Sequence, residues 1–224
     1  MEEKHLQMSE SFFLTAILAI VGGFLDSYSY LMRGHVFANA QTGNMLLFGV
    51  NLASGQFQNA LHYLCPVLAF GFGIFLAEFI HFQKIQKVHW RQLILLVEII
   101  ILFSVAFISF EQNLLANSLT SFACGMQVQA FRKIHGKGYA TTMCIGNLRT
   151  GTHELCNFLC TKKVQHLQSG LLYYLIILAF ILGAILGNFC IQSFSLKAIW
   201  ISVALLIVAF VLMFTDREKD EAFQ

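Results

Sequence analysis

The stretch ANAQTGNMLLFGV, residues 38–50, reads as the capped start of a helix, yet it lies inside a very apolar chain. It has an echo, TTMCIGNLRTGTH, at residues 141–153. Each opens with a polar, glycine-bearing arm and continues as a short amphipathic helix. Asn44 to Ala53 is ten residues, about 15 Å at ~1.5 Å per residue, or half the hydrocarbon core of a bilayer. What flanks the two segments decides the architecture.

Of the 224 residues, 57% are apolar and 12% charged, whereas a soluble domain holds about half and about a quarter. With one proline and no low-complexity linker, residues 1–224 read as a single integral membrane domain. Six runs are long and apolar enough to span a bilayer: roughly 12–32, 58–82, 92–110, 114–132, 170–193 and 196–215. Between them lie the two odd segments, 33–55 and 136–161. The expected fold is all-α, a polytopic membrane bundle of six spans plus two re-entrant or broken helices. The opening residues MEEKHLQMSES lack the order of a cleavable signal, so the first apolar run is expected to remain. Cys65, Cys124 and Cys190 lie in apolar runs, where cysteine behaves as a small hydrophobe.

Lysine and arginine accumulate in cytoplasmic loops. The dense basic loops, Lys84/Lys87/Arg91 and Arg132/Lys133/Lys137, are therefore set inside. If the odd segments cross fully, the basic residues divide eight inside to five outside. If they re-enter, eleven lie inside and only Arg33 and Lys197 outside, with Arg149 within the second segment. Re-entry is favoured, and it puts both termini in the cytoplasm.

The halves resemble each other. Gly22 and Gly43 have the same spacing as Gly125 and Gly146, and Gly43-Asn44 matches Gly146-Asn147. Further on, FGFGIFLAEF (70–79) matches FILGAILGNF (180–189). Repeat 1 covers about 12–110 and repeat 2 about 114–215. Three crossings per half is odd, so the second copy is inverted, a plan shared by transporters whose site lies between the copies.

A helix starting near Thr42-Gly43-Asn44 offers unpaired N–H groups and a positive dipole end, and Thr42 or Asn44 is placed to cap it. Its partner starts near Gly146-Asn147. Two such ends facing each other favour an anion or a polar neutral solute and disfavour bare cations; the competing reading is a broken helix that simply packs. Asp26, inside the first span, is costly there unless it faces a cavity or a partner. Arg149 is its candidate partner by depth, with Arg33 at the outer interface as the alternative. Glu98 reads as either a protonated structural acid or a member of a proton relay. Glu78 is placed to reach headgroups or Lys84. Gln127 and Gln129 read first as interhelical hydrogen-bonding groups. His153, Cys156 and Cys160 share a helix face but lack a close second pair of ligands, so no metal is expected. Tyr28, Tyr30, Trp90, Tyr173, Tyr174 and Trp200 read as interfacial anchors.

GGFLDSYSYLMRGHVFANAQTGNMLLFGVNLA (22–53) closely resembles the signature of the YoaK family, bacterial multi-pass membrane proteins of unassigned function. A second block is matched by Gly125-Met126-Gln127 and Ile145-Gly146-Asn147, with Ile145 where the family has threonine and Val128 where it has an amide. The resemblance spans nearly the whole chain and implies a protein of the bacterial inner membrane.

Together these point to a channel or secondary transporter for a small polar or anionic solute, lined by Asp26, Thr42, Gly43, Asn44, Gln127, Gly146, Asn147 and Arg149. No serine elbow, P-loop or dinucleotide fingerprint is present, so no cofactor is expected and an enzyme reading ranks behind transport. The rivals are an intramembrane enzyme acting on a lipid or quinone and a non-transporting structural or regulatory subunit. The partners expected are the bilayer and a small solute or ion, with a homo-oligomer left open. No basic patch suits nucleic acid.

Overall fold

The computed structural model describes residues 11–83, 90–134, 137, 138, 142 and 144–213. Eight α-helices follow one another: α1 (Phe12–Met32), α2 (Gln41–Ala53), α3 (Phe57–Phe82), α4 (Trp90–Val105), α5 (Asn113–Ala130), α6 (Cys144–Thr161), α7 (Val164–Phe194) and α8 (Ile199–Leu212). A short antiparallel ladder, β1 (Lys133–Ile134) with β2 (Lys137–Gly138), lies between α5 and α6, a small exception to the all-α expectation. α1 starts where Ser11 turns extended and its hydroxyl accepts the Leu14 N–H at 3.2 Å, satisfying one orphan amide of the first turn. α7 and α8 are separated by a 3-10 turn at Ser195–Ala198, entered through Ser195 at φ 52°.

Side-chain bonds fix which helix ends lie together. Arg33, just past α1, donates to the carbonyls of Val105, Ile108 and Ser109 and to Asn113, so the ends of α1 and α4 meet the start of α5. The Tyr28 hydroxyl donates to Leu196 O at 3.1 Å, bringing the α7–α8 turn to the same end. At the opposite end Gln92 donates to Met213 O, and Gln129 of α5 donates to Glu78 of α3. α1, α3, α4, α5, α7 and α8 therefore alternate in direction along the chain. Tyr28 is fully buried, which overturns its reading as an interfacial anchor.

Two close crossings organise the bundle. α1 packs on α7 and α3 packs on α5. In the first, a Cβ on Gly23 would collide with Phe180 O, and one on Gly183 with Ile20 O. In the second, a Cβ on Gly125 would collide with Phe70 O, and one on Gly73 with Phe122 O. Only glycine allows backbones this near. Gly23 rather than Gly22 thus meets the α7 backbone, and Gly125 meets that of α3. Further packing sets α2 on α3, α6 on α7, α1 on α8, α4 on α5 and α4 on α8.

Among the described residues, three stretches are long and apolar enough to cross a bilayer: Phe12–Met32, Phe57–Phe82 and Val164–Leu212, the last being α7 and α8 together. α4 has 16 residues, about 24 Å. α5 is long enough but buries Asn117, Thr120, Ser121 and Gln127. α6 has 18 residues, about 27 Å, so it is longer than the half-span expected of it.

A candidate solute site between two short helices

The site begins with a reversal of the chain. Gly34 (φ 88°) and His35 (φ 61°) are successive left-handed residues, and they turn the backbone back after α1. Residues 36–40 then run back beside α1. Asn39 donates its backbone N–H to the Asp26 carboxylate at 2.6 Å, and its side chain donates to Gly22 O at 3.1 Å. α2 starts there, two turns of α1 below Arg33, a depth of about 11 Å, and climbs back to the end it left. At that end His62 Nε2 lies 3.1 Å from Gly34 O, so the chain leaves and returns on one side.

α6 starts at the same depth from the other direction. Thr142 packs its methyl group against Gly22, and its hydroxyl is buried with no partner among the described residues. Between the two helix starts lies a cleft of about 630 Å³. Asp26, Ser27, Tyr30, Thr42, Thr142 and Cys144 give it polar groups; Phe37, Ile145 and Phe180 are among its apolar walls. Tyr30, Leu31 and Ile145 at its margin are exposed.

Of the residues expected from sequence, Asp26 and Thr42 line this cleft and the others do not. Neither Thr42 nor Asn44 caps α2: the cap residue is Ala40, without a side-chain bond. Asn44 points away, bonding Phe37 N–H at 3.0 Å, Phe37 O at 2.8 Å and Gln41 Oε1 at 2.8 Å, and so clamps the returning segment to the first turn. The Gly43 position packs on the Phe37 ring, whereas Gly146 has open space beside it. Asn147 is buried. Gln127 donates to Leu18 O at 3.4 Å, joining α5 to α1, which is the role the sequence suggested for it.

The expected Asp26–Arg149 pair does not form. Arg149 lies on the exposed face of α6, and Asp26 spends a carboxylate oxygen on the α2 arm. The alternative pair with Arg33 fails too, because that guanidinium is 1% exposed and taken by carbonyls and by the Tyr28 hydroxyl. Glu78 turns to Gln129 and lies 3.8 Å from His81; Lys84 falls outside the described residues. His166 pairs with Glu154 at 2.7 Å and His153 with Asn157 at 3.1 Å. No group of three metal-ligating side chains occurs among the described residues.

Sequence reasoning missed Asn39, which ties the arm to Asp26, and the cleft residues Ser27, Thr142 and Cys144. The only signal for Asn39 was a lone amide just ahead of a helix start.

Apolar side chains cover the outside of the bundle, including the stacked and exposed Phe72, Phe75 and Phe79, while Asp26, Glu98 and Arg33 are held inside. That is the inversion of a soluble fold, and it defines a helical protein of the lipid bilayer. The chain belongs to the family described as "Protein of unknown function (DUF1275)", whose family model matches residues 14–212. It is 26% identical over 215 residues to the UPF0700 transmembrane protein YoaK of Bacillus subtilis (strain 168), covering 92% of this chain and 94% of that one. The YoaK-type resemblance of residues 22–53 therefore extends along the chain. No solved structure matches.

Proposed function

We propose that this protein is a secondary transporter or channel of the bacterial inner membrane that takes a small solute into the cleft between α2 and α6. The observation that carries this reading is the meeting of two helix starts at mid-depth around Asp26 and Thr42, beside an open cavity. Non-helical backbone at such depth is tolerated where it lines a cavity or is buried in protein. The paired packing of α1 on α7 with α5 on α3 supports an inverted repeat in one domain with six crossings, and the lysine and arginine distribution supports cytoplasmic termini.

The chemistry of the cleft narrows the solute. Its ionisable acid is Asp26, Arg149 is not part of its lining, and the arm of α2 already has a carboxylate acceptor. An anion loses support; a neutral or cationic solute with hydrogen-bond donors and an apolar body suits Asp26, the hydroxyls and the Phe37 and Phe180 walls. Thermal unfolding in detergent against a panel of organic amines, polyols and carboxylates tests this, because a ligand of the folded state raises its melting temperature. Amines or polyols are expected to stabilise the parent and not Asp26→Ala, and to exchange across vesicles containing the protein. Stabilisation by carboxylates alone rejects the reading.

A second reading, an intramembrane enzyme or carrier acting on a lipid or quinone, is favoured by the exposed Tyr30, Leu31 and Ile145 at the cleft margin. Lipid retained by the parent through purification and lost on Thr42→Phe would select it.

A further inference from the structure

From Gly34 to Tyr63 the chain carries no carboxylate, lysine or arginine, yet this stretch, which includes α2 and the start of α3, is dense in amides. Its outward faces are apolar, with Leu52, Phe57 and Leu61 exposed. Polar groups gather instead in a hollow of about 410 Å³ where the turn after α1 meets α2 and α3. Gly34, Asn51, Gln58, Asn59, His62 and Tyr63 line it. That volume falls in the ~300–1,000 Å³ range of small-molecule clefts. The hollow shares no lining residue with the cleft around Asp26.

Its walls are fixed from behind. The Gln56 N–H donates to Asn51 O at 2.9 Å and closes the α2–α3 turn over Gly55 (φ 72°). Asn51 Nδ2 donates to Leu47 O at 2.7 Å, and Asn59 Nδ2 donates to Gln56 Oε1 at 2.9 Å. Each of these amides therefore keeps its carbonyl oxygen as an acceptor for something else. His62 Nε2 donates to Gly34 O at 3.1 Å, which leaves Nδ1 as an acceptor in the neutral ring. Glycine is required at position 34, where φ is 88° and a Cβ would lie 3.0 Å from His62 Nε2. The Gln58 amide and the Tyr63 hydroxyl, both in the lining, make no hydrogen bond among the described residues and so supply donors. The His62 and Tyr63 rings meet edge to face at 5.5 Å and give the hollow an aromatic wall.

This set of groups selects a chemistry. A charged ligand would lose water here with no opposite charge to meet it. Hydroxyl groups, each both donor and acceptor, match the amide oxygens and the Gln58 and Tyr63 donors together. The aromatic wall suits the apolar C–H face of a sugar ring. We propose that the hollow is a binding site for a neutral polyhydroxylated ligand, a sugar or polyol, separate from the solute cleft. It does not rest on the transport reading.

Saturation-transfer NMR of the full chain in lipid nanodiscs, free of sugar-based detergent, tests the site. The probes are glucose, sorbitol and glycerol, with glucose 6-phosphate, gluconate and glucosamine as charged counterparts. At least one neutral probe is expected to bind with a Kd below about 10 mM, and at least about tenfold tighter than the charged ones. Gln58→Ala combined with Tyr63→Phe should weaken that binding at least about tenfold. The melting temperature of this double variant should match the parent, because neither group is bonded within the fold. Thr42→Phe, which fills the solute cleft, should leave the binding intact. No neutral probe bound below that concentration, charged probes bound equally well, or binding that survives the double variant overturns the proposal. Binding lost in Thr42→Phe but kept in the double variant assigns the polyol to the cleft and removes this site.

Discussion

The Asn39 backbone N–H and the Asp26 carboxylate meet at 2.6 Å, and the Asn39 side chain closes the same junction on Gly22 O. One acid on α1 thus holds the lowest point of the arm from which α2 rises. Asp26→Ala leaves a buried N–H without its acceptor, at a cost of about 1–3 kcal/mol. The expected result is a lower melting temperature in detergent, with faster amide hydrogen exchange over residues 36–44 and little change in α8. An unchanged melting temperature and exchange pattern would show that the arm stands without Asp26.

The reach of single-sequence reasoning is uneven for physical reasons. α1, α3 and the α7–α8 region stand out because a long apolar run in water has few other fates; the bounds of α1 and α3 follow it closely, whereas α7 begins earlier, at Val164. The short helices were legible from polar, glycine-bearing starts between those runs. Partners were not. Asp26 and Arg149 were matched by depth, but depth says nothing of azimuth, and Arg149 faces outward on α6. Arg33 was counted as a loop charge because its actual partners are mostly backbone carbonyls some seventy positions on, and carbonyls leave no mark in a sequence. The sequence reading singled out Gly22, whereas Gly23 is the glycine that meets the α7 backbone, a choice set by azimuth rather than by spacing.

Those crossings give a matched pair of expectations. Gly23→Ala and Gly125→Ala each drive a methyl group into the carbonyl oxygen of a neighbouring helix, Phe180 O or Phe70 O. Overpacking of this kind costs about 1–3 kcal/mol, and similar losses are expected at both sites. Gly146→Ala meets open space inside a helix and should be neutral or gain about 0.5–1 kcal/mol. Thermal unfolding of the three variants checks the order; a destabilised Gly146→Ala or an indifferent Gly125→Ala contradicts it.

Arg33 joins four chain segments with one guanidinium. Its Nη1 and Nη2 serve Ile108 O, Ser109 O, Asn113 Oδ1 and Val105 O, and its Nε serves the Tyr28 hydroxyl. Lysine has a single ammonium and cannot reproduce that fork. Arg33→Lys and Arg33→Ala should each cost at least about 3 kcal/mol, since several buried acceptors lose their donor together. The check is yield of monodisperse protein and melting temperature. Parent-like behaviour of Arg33→Lys would mean that charge alone, rather than the fork, joins these ends.

The course of the chain also predicts which faces are wet. Ser54 follows α2 at the end shared with Gly34 and His62, whereas Lys162 and Lys163 lie in the turn between α6 and α7, where the α7 start packs near Phe12. Paired lysines at that turn favour the cytoplasm. In a background with the native cysteines replaced, Ser54→Cys should react with an impermeant maleimide from the periplasmic side of intact cells. Lys162→Cys should react only once the cytoplasmic face is opened. If α2 ran from face to face, Ser54 and Arg33 would lie on opposite sides, so labelling of both Ser54→Cys and Lys162→Cys from the same side would break the alternation of helices on which the shared depth of the two helix starts depends.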